Sequence, residues 1–370
     1  MRTPPTSRLG RAGRLAAVRT ALIAALAPAA LHAQGPFTSL TFFGDSYSDN
    51  GNAYRLTGGA TPPSPPYYAG RFSNGPMWVD TFAQALGRPG DAAPAFAPAI
   101  LSGSVAASGN YAVGGARSGL TGSGGTPTGA LSQLGLYLGA NPVADRTGLY
   151  VVFAGGNDLR DAGSLTDPVQ RQNVAVTAAT NVLAEARALA AAGAGNVLLF
   201  TLPSPGYFPE SQAIPGRPAV EDELTATFNA TLAAGYAALL TAPGTTRFFD
   251  LRLDNLFTNI VLDARTGGSL YGITNLTAPC FGAAIGFPAA PSCDVSLFVD
   301  DQHATTRGHA LIADAALRYV TTGQNVAVIP EPAPVLLVGA GVVLIASGAA
   351  RRRPATSSAA SSSRPGTARC

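Results

Sequence analysis

The chain has 370 residues, and its formal charge of +3 misleads, because five arginines lie in the first 19 residues and five more follow residue 350. Without those two ends, 14 arginines face 21 acidic residues, a net of −7, and there is no lysine anywhere. An acidic body without basic runs argues against electrostatic binding of nucleic acid, and 46% apolar against 12% charged residues argue against disorder in the central part of the chain.

Arg2, Arg8, Arg11, Arg14 and Arg19 precede an apolar run, residues 22–31, that ends at Ala33-Gln34. This is the layout of a secretory signal cut after Ala33, and the run is too short for a permanent membrane span. Residues 1–33 are therefore expected to be removed. Residues 34–329 suffice for one α/β domain with its own core.

Within that domain the pattern alternates strand and helix, the signature of a parallel sheet. Strands are predicted at 40–44, 110–113, 149–154, 196–202 and 246–251. Helices are predicted at 77–86, 130–138, 168–192, 220–241, 255–264 and 304–320. The third and fourth strands are near-continuous apolar runs, as expected when helices cover both faces. Residues 57–68 and 91–109 are rich in Pro, Gly and Ala and are expected to be surface loops, lids or decoration.

The first strand runs into Gly44-Asp45-Ser46-Tyr47-Ser48-Asp49-Asn50. Ser46 thus falls where a strand stops, and in open α/β sheets ligands collect outside the carboxyl ends of strands. A serine presenting its hydroxyl and its N–H there is a candidate nucleophile. The plainer alternative is a helix N-cap or an Asx-turn cluster.

Three later stretches bear on that choice. Residues 111–116 read Tyr-Ala-Val-Gly-Gly-Ala, residues 151–158 Val-Val-Phe-Ala-Gly-Gly-Asn-Asp, and residues 299–309 Val-Asp-Asp-Gln-His-Ala-Thr-Thr-Arg-Gly-His. With Gly44-Asp45-Ser46 they resemble the four blocks of the GDSL or SGNH family of serine esterases and lipases, in order, across residues 40–320. The resemblance implies a three-layer α/β/α sandwich with a central, mostly parallel sheet, flavodoxin-like. It implies an ester hydrolase with Ser46, Asp300 and His303 as the catalytic set. It also implies oxyanion donors from the Ser46 N–H, the Gly115 N–H and the Asn157 amide, with Gly114 as the alternative to Gly115. Residues 70–75, Gly-Arg-Phe-Ser-Asn-Gly, recur in relatives of the family and are expected to shape the rim of the site.

The residues agree chemically. A serine hydroxyl needs a base to take its proton, and of the three histidines His32 leaves with the signal. His303 has Asp300 three residues upstream, so one turn sets carboxylate and imidazole together. Asp301 is expected to face solvent or cap the last helix, and His309 to be a hydrogen-bonded helix residue. Asp45, Asp49 and Asp158 are expected to hold loops in shape. No cofactor or metal is expected, since two histidines six apart with no cysteine pair at ligand spacing do not build a site. The glycines at 122–125 lack the Lys-Ser/Thr of a phosphate loop.

Cys280 and Cys293 flank a short loop before Asp300, and in an oxidising compartment a bond between them would stiffen that approach. Cys370 has no partner. The C-terminus reads Pro330-Glu331-Pro332, an apolar run at 335–350, then Arg351-Arg352-Arg353. Residues 330–353 resemble the PEP-CTERM sorting signal of bacterial envelope proteins, which implies envelope sorting machinery as a partner, a bacterium that makes extracellular polysaccharide, and cleavage of the tail. A plain C-terminal anchor is the alternative, and the Ser/Ala-rich residues 354–370 are expected to be a disordered tail. The expected protein is a secreted or surface-sorted serine carboxylester hydrolase, held at the envelope by a transient C-terminal membrane anchor, acting on a lipid, a short acyl ester or an acylated glycan. A polysaccharide O-acetylesterase and a non-catalytic envelope protein are its rivals.

Overall fold

β1 (Leu40–Gly44) is buried at all five positions and forms the spine of the fold. In the computed structural model, which describes residues 35–286 and 291–329, it lies between β2 (Gly109–Asn110) and β3 (Leu149–Phe153). β4 (Asn196–Phe200) and β5 (Arg247–Leu251) complete a sheet of order β2-β1-β3-β4-β5 in which every neighbour is parallel. This doubly wound order places β1 and β3 side by side at the point where the winding reverses, the place where such sheets bind ligands.

Successive strand residues face opposite sides, and the two phenylalanines of β1 show the layers. Phe42 packs on Trp78 and Phe82 of α2 (Trp78–Ala85), at ring distances of 5.7 and 6.4 Å. Phe43 packs on the other face against Tyr137 of α4 (Ala130–Ala140), 5.6 Å away. On the α4 side lie α6 (Pro168–Ala191) and α8 (Arg217–Thr241), packed together. On the α2 side lie α9 (Leu253–Arg265) and α10 (Thr306–Thr322), with α10 against α2 and β5. The expected three-layer α/β/α sandwich is the fold observed, and described residues up to Val328 form one unit.

Differences from the predicted elements have local causes. The strand predicted at 110–113 is cut to two residues because the Asn110 carboxamide takes the N–H of Ala112 and donates to Ser48 and Asn50. Short helices α1 (Asn52–Leu56), α3 (Phe96–Ser102), α5 (Gly156–Ala162) and α7 (Pro209–Gln212) were not predicted, α3 lying within the stretch expected as loop. The last helix starts at Thr306, not at 304. Thr305 caps it by accepting the Gly308 N–H, and Ala304 instead bridges to Phe298. The signal at 1–33, the segment at 330–353 with its Pro-Glu-Pro motif and arginines, the tail at 354–370 and Cys370 all lie outside the described residues.

Candidate active site

Gly44 ends β1 against β3, where a Cβ would meet the Phe153 carbonyl at 2.2 Å, so only glycine fits. The chain then turns on Asp45, whose carboxylate accepts the Tyr47 N–H at 3.0 Å and whose carbonyl accepts those of Ser48 and Asp49. Ser46 sits on that turn. The Asx-turn expected as an alternative is thus present, and it is what presents the serine.

Asp49 is the post between the first two sequence blocks. Its buried carboxylate accepts the N–H groups of Gly51, Asn52, Ala53 and Gly114 at 2.6–2.9 Å. With the Gly114 N–H committed there, the next one, on Gly115, has no acceptor among the described residues. Gly115 has φ 77°, which favours glycine. The Ser46 N–H is likewise without an acceptor among the described residues. Asp158 holds the third block by accepting both the N–H and the hydroxyl of Ser118. Asn157, beside it, donates one amide N–H to the Ala116 carbonyl at 2.9 Å, which leaves its second N–H available. Ser46 and Asn157 line one cavity of about 40 Å³ with Tyr47, Phe153, Leu202 and Phe208, and Gly115 lies outside that lining.

The turn before α10 brings up the histidine. His303 Nε2 lies 2.8 Å from Ser46 Oγ, and its Nδ1 lies 2.6 Å from Asp300 Oδ2. The other Asp300 oxygen accepts the N–H groups of Gln302 and His303, at 2.9 and 2.6 Å. Burial alone would raise the Asp300 pKa, but the charge and hydrogen bonds of His303 and a hydrogen bond from Tyr67 hold it below the usual carboxylate range. Burial likewise pulls the His303 imidazole down, and Asp300, Asp301 and Asp45 outweigh it, so its pKa is raised.

Two neighbours differ from expectation. Asp301 neither caps α10 nor points fully to solvent: it is half-buried, and its carbonyl accepts the Glu210 N–H. His309 is buried beside Tyr47, its Nδ1 without a partner among the described residues, and burial drops its pKa to about 3, so it stays neutral. Nothing there suits it as a second base.

The loop at 57–68, expected as decoration, supplies a residue the sequence did not single out. The Tyr67 hydroxyl donates to Asp300 Oδ2 at 2.6 Å. The stretch expected at the rim lies instead against the histidine, with the Phe72 ring 4.9 Å from the His303 ring. Cys280 and Cys293 are joined as a disulfide, Cα–Cα 5.1 Å. Among the described residues no three His, Cys, Asp or Glu side chains gather as a metal site.

A parallel five-stranded sheet with serine, histidine and aspartate in line beyond its carboxyl ends defines an α/β protein of serine-hydrolase geometry. The chain belongs to the GDSL-like lipase/acylhydrolase family, whose profile matches residues 40–316. Among curated proteins it is similar to esterase EstA of Pseudomonas aeruginosa and its counterpart in Pseudomonas putida. Each is 28% identical over 357 residues, covering 85% of this chain and 52% of the esterase. A stretch of 58 residues, 16% of this chain and 17% of the other, is 47% identical to a phosphatidylcholine-sterol acyltransferase of Aeromonas hydrophila. The chain thus spans about half the length of the esterases it matches. Among solved structures, a variant of an acetyl xylan esterase from Geobacillus stearothermophilus is 13% identical, with 80% of this chain and 98% of that one covered and a TM-score of 0.37.

Proposed function

We propose that the protein is an exported serine carboxylester hydrolase working through an acyl-enzyme on Ser46. The observation that carries this reading is the line from Ser46 Oγ through His303 to Asp300, at 2.8 and 2.6 Å. In the acylation step Ser46 Oγ bonds to the ester carbonyl carbon while its proton passes to His303 Nε2. The carbonyl electron pair moves onto oxygen, toward the unclaimed N–H groups of Ser46, Gly115 and Asn157. The C–O bond to the alcohol then breaks, and the alcohol leaves with the proton from Nε2. Water repeats the sequence and releases the acid. Asp300 keeps the Nδ1–H tautomer in place and steadies the imidazolium between steps.

The cavity beside Ser46, about 40 Å³ and walled by Phe153, Leu202 and Phe208, supports an ester of a small apolar acyl group. The same smallness favours an acetylated glycan as a second reading. Export is supported by the arginine-flanked apolar run before residue 34, and the Cys280–Cys293 bond suits an oxidising compartment. We assign residues 34–329 to the hydrolase domain and 330–353 to envelope sorting of the PEP-CTERM kind, on sequence alone.

One experiment tests the reading. Wild type should be labelled by a fluorophosphonate probe and should cleave p-nitrophenyl acetate and butyrate faster than the laurate. Ser46→Ala should abolish both labelling and cleavage. A wild-type protein that is neither labelled nor active on any ester, acetylated xylan included, overturns it.

A further inference from the structure

We propose that Tyr67 is a positioning residue of this site: its phenol, donated to the Asp300 oxygen that His303 also uses, sets how strongly the carboxylate holds the imidazolium. The inference rests on the hydrolase reading above and adds a residue to it.

The donors on Asp300 differ in kind. Two are the backbone N–H groups of Gln302 and His303, built into the turn and lost only if it unfolds. The third is His303 itself. The fourth comes from Tyr67, 233 residues away in sequence, at the same 2.6 Å as the imidazole and on the same oxygen. Together they fill the roughly four acceptor sites of a carboxylate, and at 4% exposure Asp300 has little water to replace any of them.

The hydroxyl is held where it is by contacts that do not need it. The Tyr67 ring meets Phe281 edge-on at 5.1 Å and lies 6.4 Å from Phe72. Phe281 follows the disulfide-bonded Cys280, and these two residues donate their N–H groups to the carbonyls of Phe298 and Val299, just before Asp300. A phenylalanine at 67 would keep the ring contacts. What the oxygen adds is its bond to Asp300.

The sign of its effect follows. A phenol sharing Oδ2 draws on the same negative charge that stabilises the imidazolium. Without it, more of that charge falls on His303 Nδ1–H, and the imidazole pKa rises. The other groups facing His303 are Asp45 and Asp301, which act in the same upward direction once ionised, and His309, which is neutral. Tyr47 donates its hydroxyl to the Gln302 carbonyl, and burial keeps it uncharged. Since the base must be neutral to take the serine proton, a higher pKa moves the acid limb of activity to higher pH.

The test compares the full chain with Tyr67→Phe on p-nitrophenyl acetate. The variant should lose about five- to tenfold in kcat with KM within about twofold, and its acid limb should rise by about half a pH unit. Replacing Tyr67 with 3,5-difluorotyrosine keeps the shape and strengthens the donor, so the limb should move the opposite way. An NMR titration of His303 reads the same shifts without turnover. If Tyr67→Phe melts earlier but leaves the acid limb and the His303 titration unmoved, Tyr67 only packs and the proposal fails. If wild type cleaves no ester, the hydrolase reading fails instead, and the His303 titration alone decides the role of Tyr67.

Discussion

The Phe72 ring lies 4.9 Å from the imidazole of His303, tilted 34° to it, and the next two residues grip the chain just beyond that histidine. Ser73 donates its hydroxyl to the Ala304 carbonyl at 3.0 Å, and Asn74 accepts the Thr306 N–H at 2.7 Å. Three consecutive side chains therefore fix the position and one face of the base. Phe72→Ala should remove the cover from the ring and cost about 3–5 kcal/mol of stability, the range for a buried aromatic cut to alanine. Its kcat/KM, corrected for folded fraction, should fall by about tenfold as the imidazole gains freedom. Phe72→Leu should keep most of both. Esterase kinetics beside urea melts decide this, and a stability loss with unchanged kcat/KM would reduce Phe72 to packing.

The same residues show where sequence reading reaches and where it stops. The strand end before Ser46 was legible because a buried apolar run is followed at once by small polar residues, but Ser46 as nucleophile, against a plain Asx-turn, rested on the resemblance of the four sequence blocks. His303 was legible because few histidines were left to choose from, while Asp300 was preferred to its neighbour Asp301 by the Asp-x-x-His spacing of the family the sequence resembles. Gly114 and Gly115 fit the same sequence pattern, and what distinguishes them is a bond the sequence does not show, from the Gly114 N–H to Asp49. Tyr67 and Phe72 carry no local signal of their reach. Their partners lie more than 200 residues away, and a Pro/Gly-rich loop looks alike in sequence whether it waves in solvent or closes over a carboxylate.

Asp45 gives a pH dependence of stability that the serine chemistry does not. Burial raises its carboxyl to about 7, against the pull of the Tyr47 N–H and of His303. Below pH 3.8 the folded and unfolded chains both hold this proton. Between there and about 7 the unfolded chain gives it up while the folded chain keeps it, so stability falls as pH rises, by roughly 4 kcal/mol at most. Asp45→Asn keeps a carbonyl for the Tyr47 N–H and removes the titration. The variant should match wild type near pH 4 and melt several degrees higher at pH 8. Calorimetry across that range checks it, and a difference that does not change with pH would show that Asp45 is ionised throughout.

Asp300 and Asp301 adjoin in sequence, yet the site treats them differently. Asp300 turns both oxygens inward to four donors. Among the described residues the Asp301 carboxylate accepts only the Gln302 amide, at 3.4 Å, and its influence on His303 is one of charge. Asp300→Asn puts an amide where the imidazole needs an acceptor. The ring can then take the tautomer with hydrogen on Nε2, which cannot receive the proton of Ser46. Turnover should fall by at least about tenfold, and by up to about 10⁴-fold if the wrong tautomer dominates. Asp301→Asn removes a half-screened charge and should change turnover by less than about threefold. Ser46→Ala and His303→Ala set the floor of the assay, since each removes an atom that bonds or carries the proton. Equal losses at 300 and 301 would mean that charge near the imidazole, not the inward carboxylate, is what orients it.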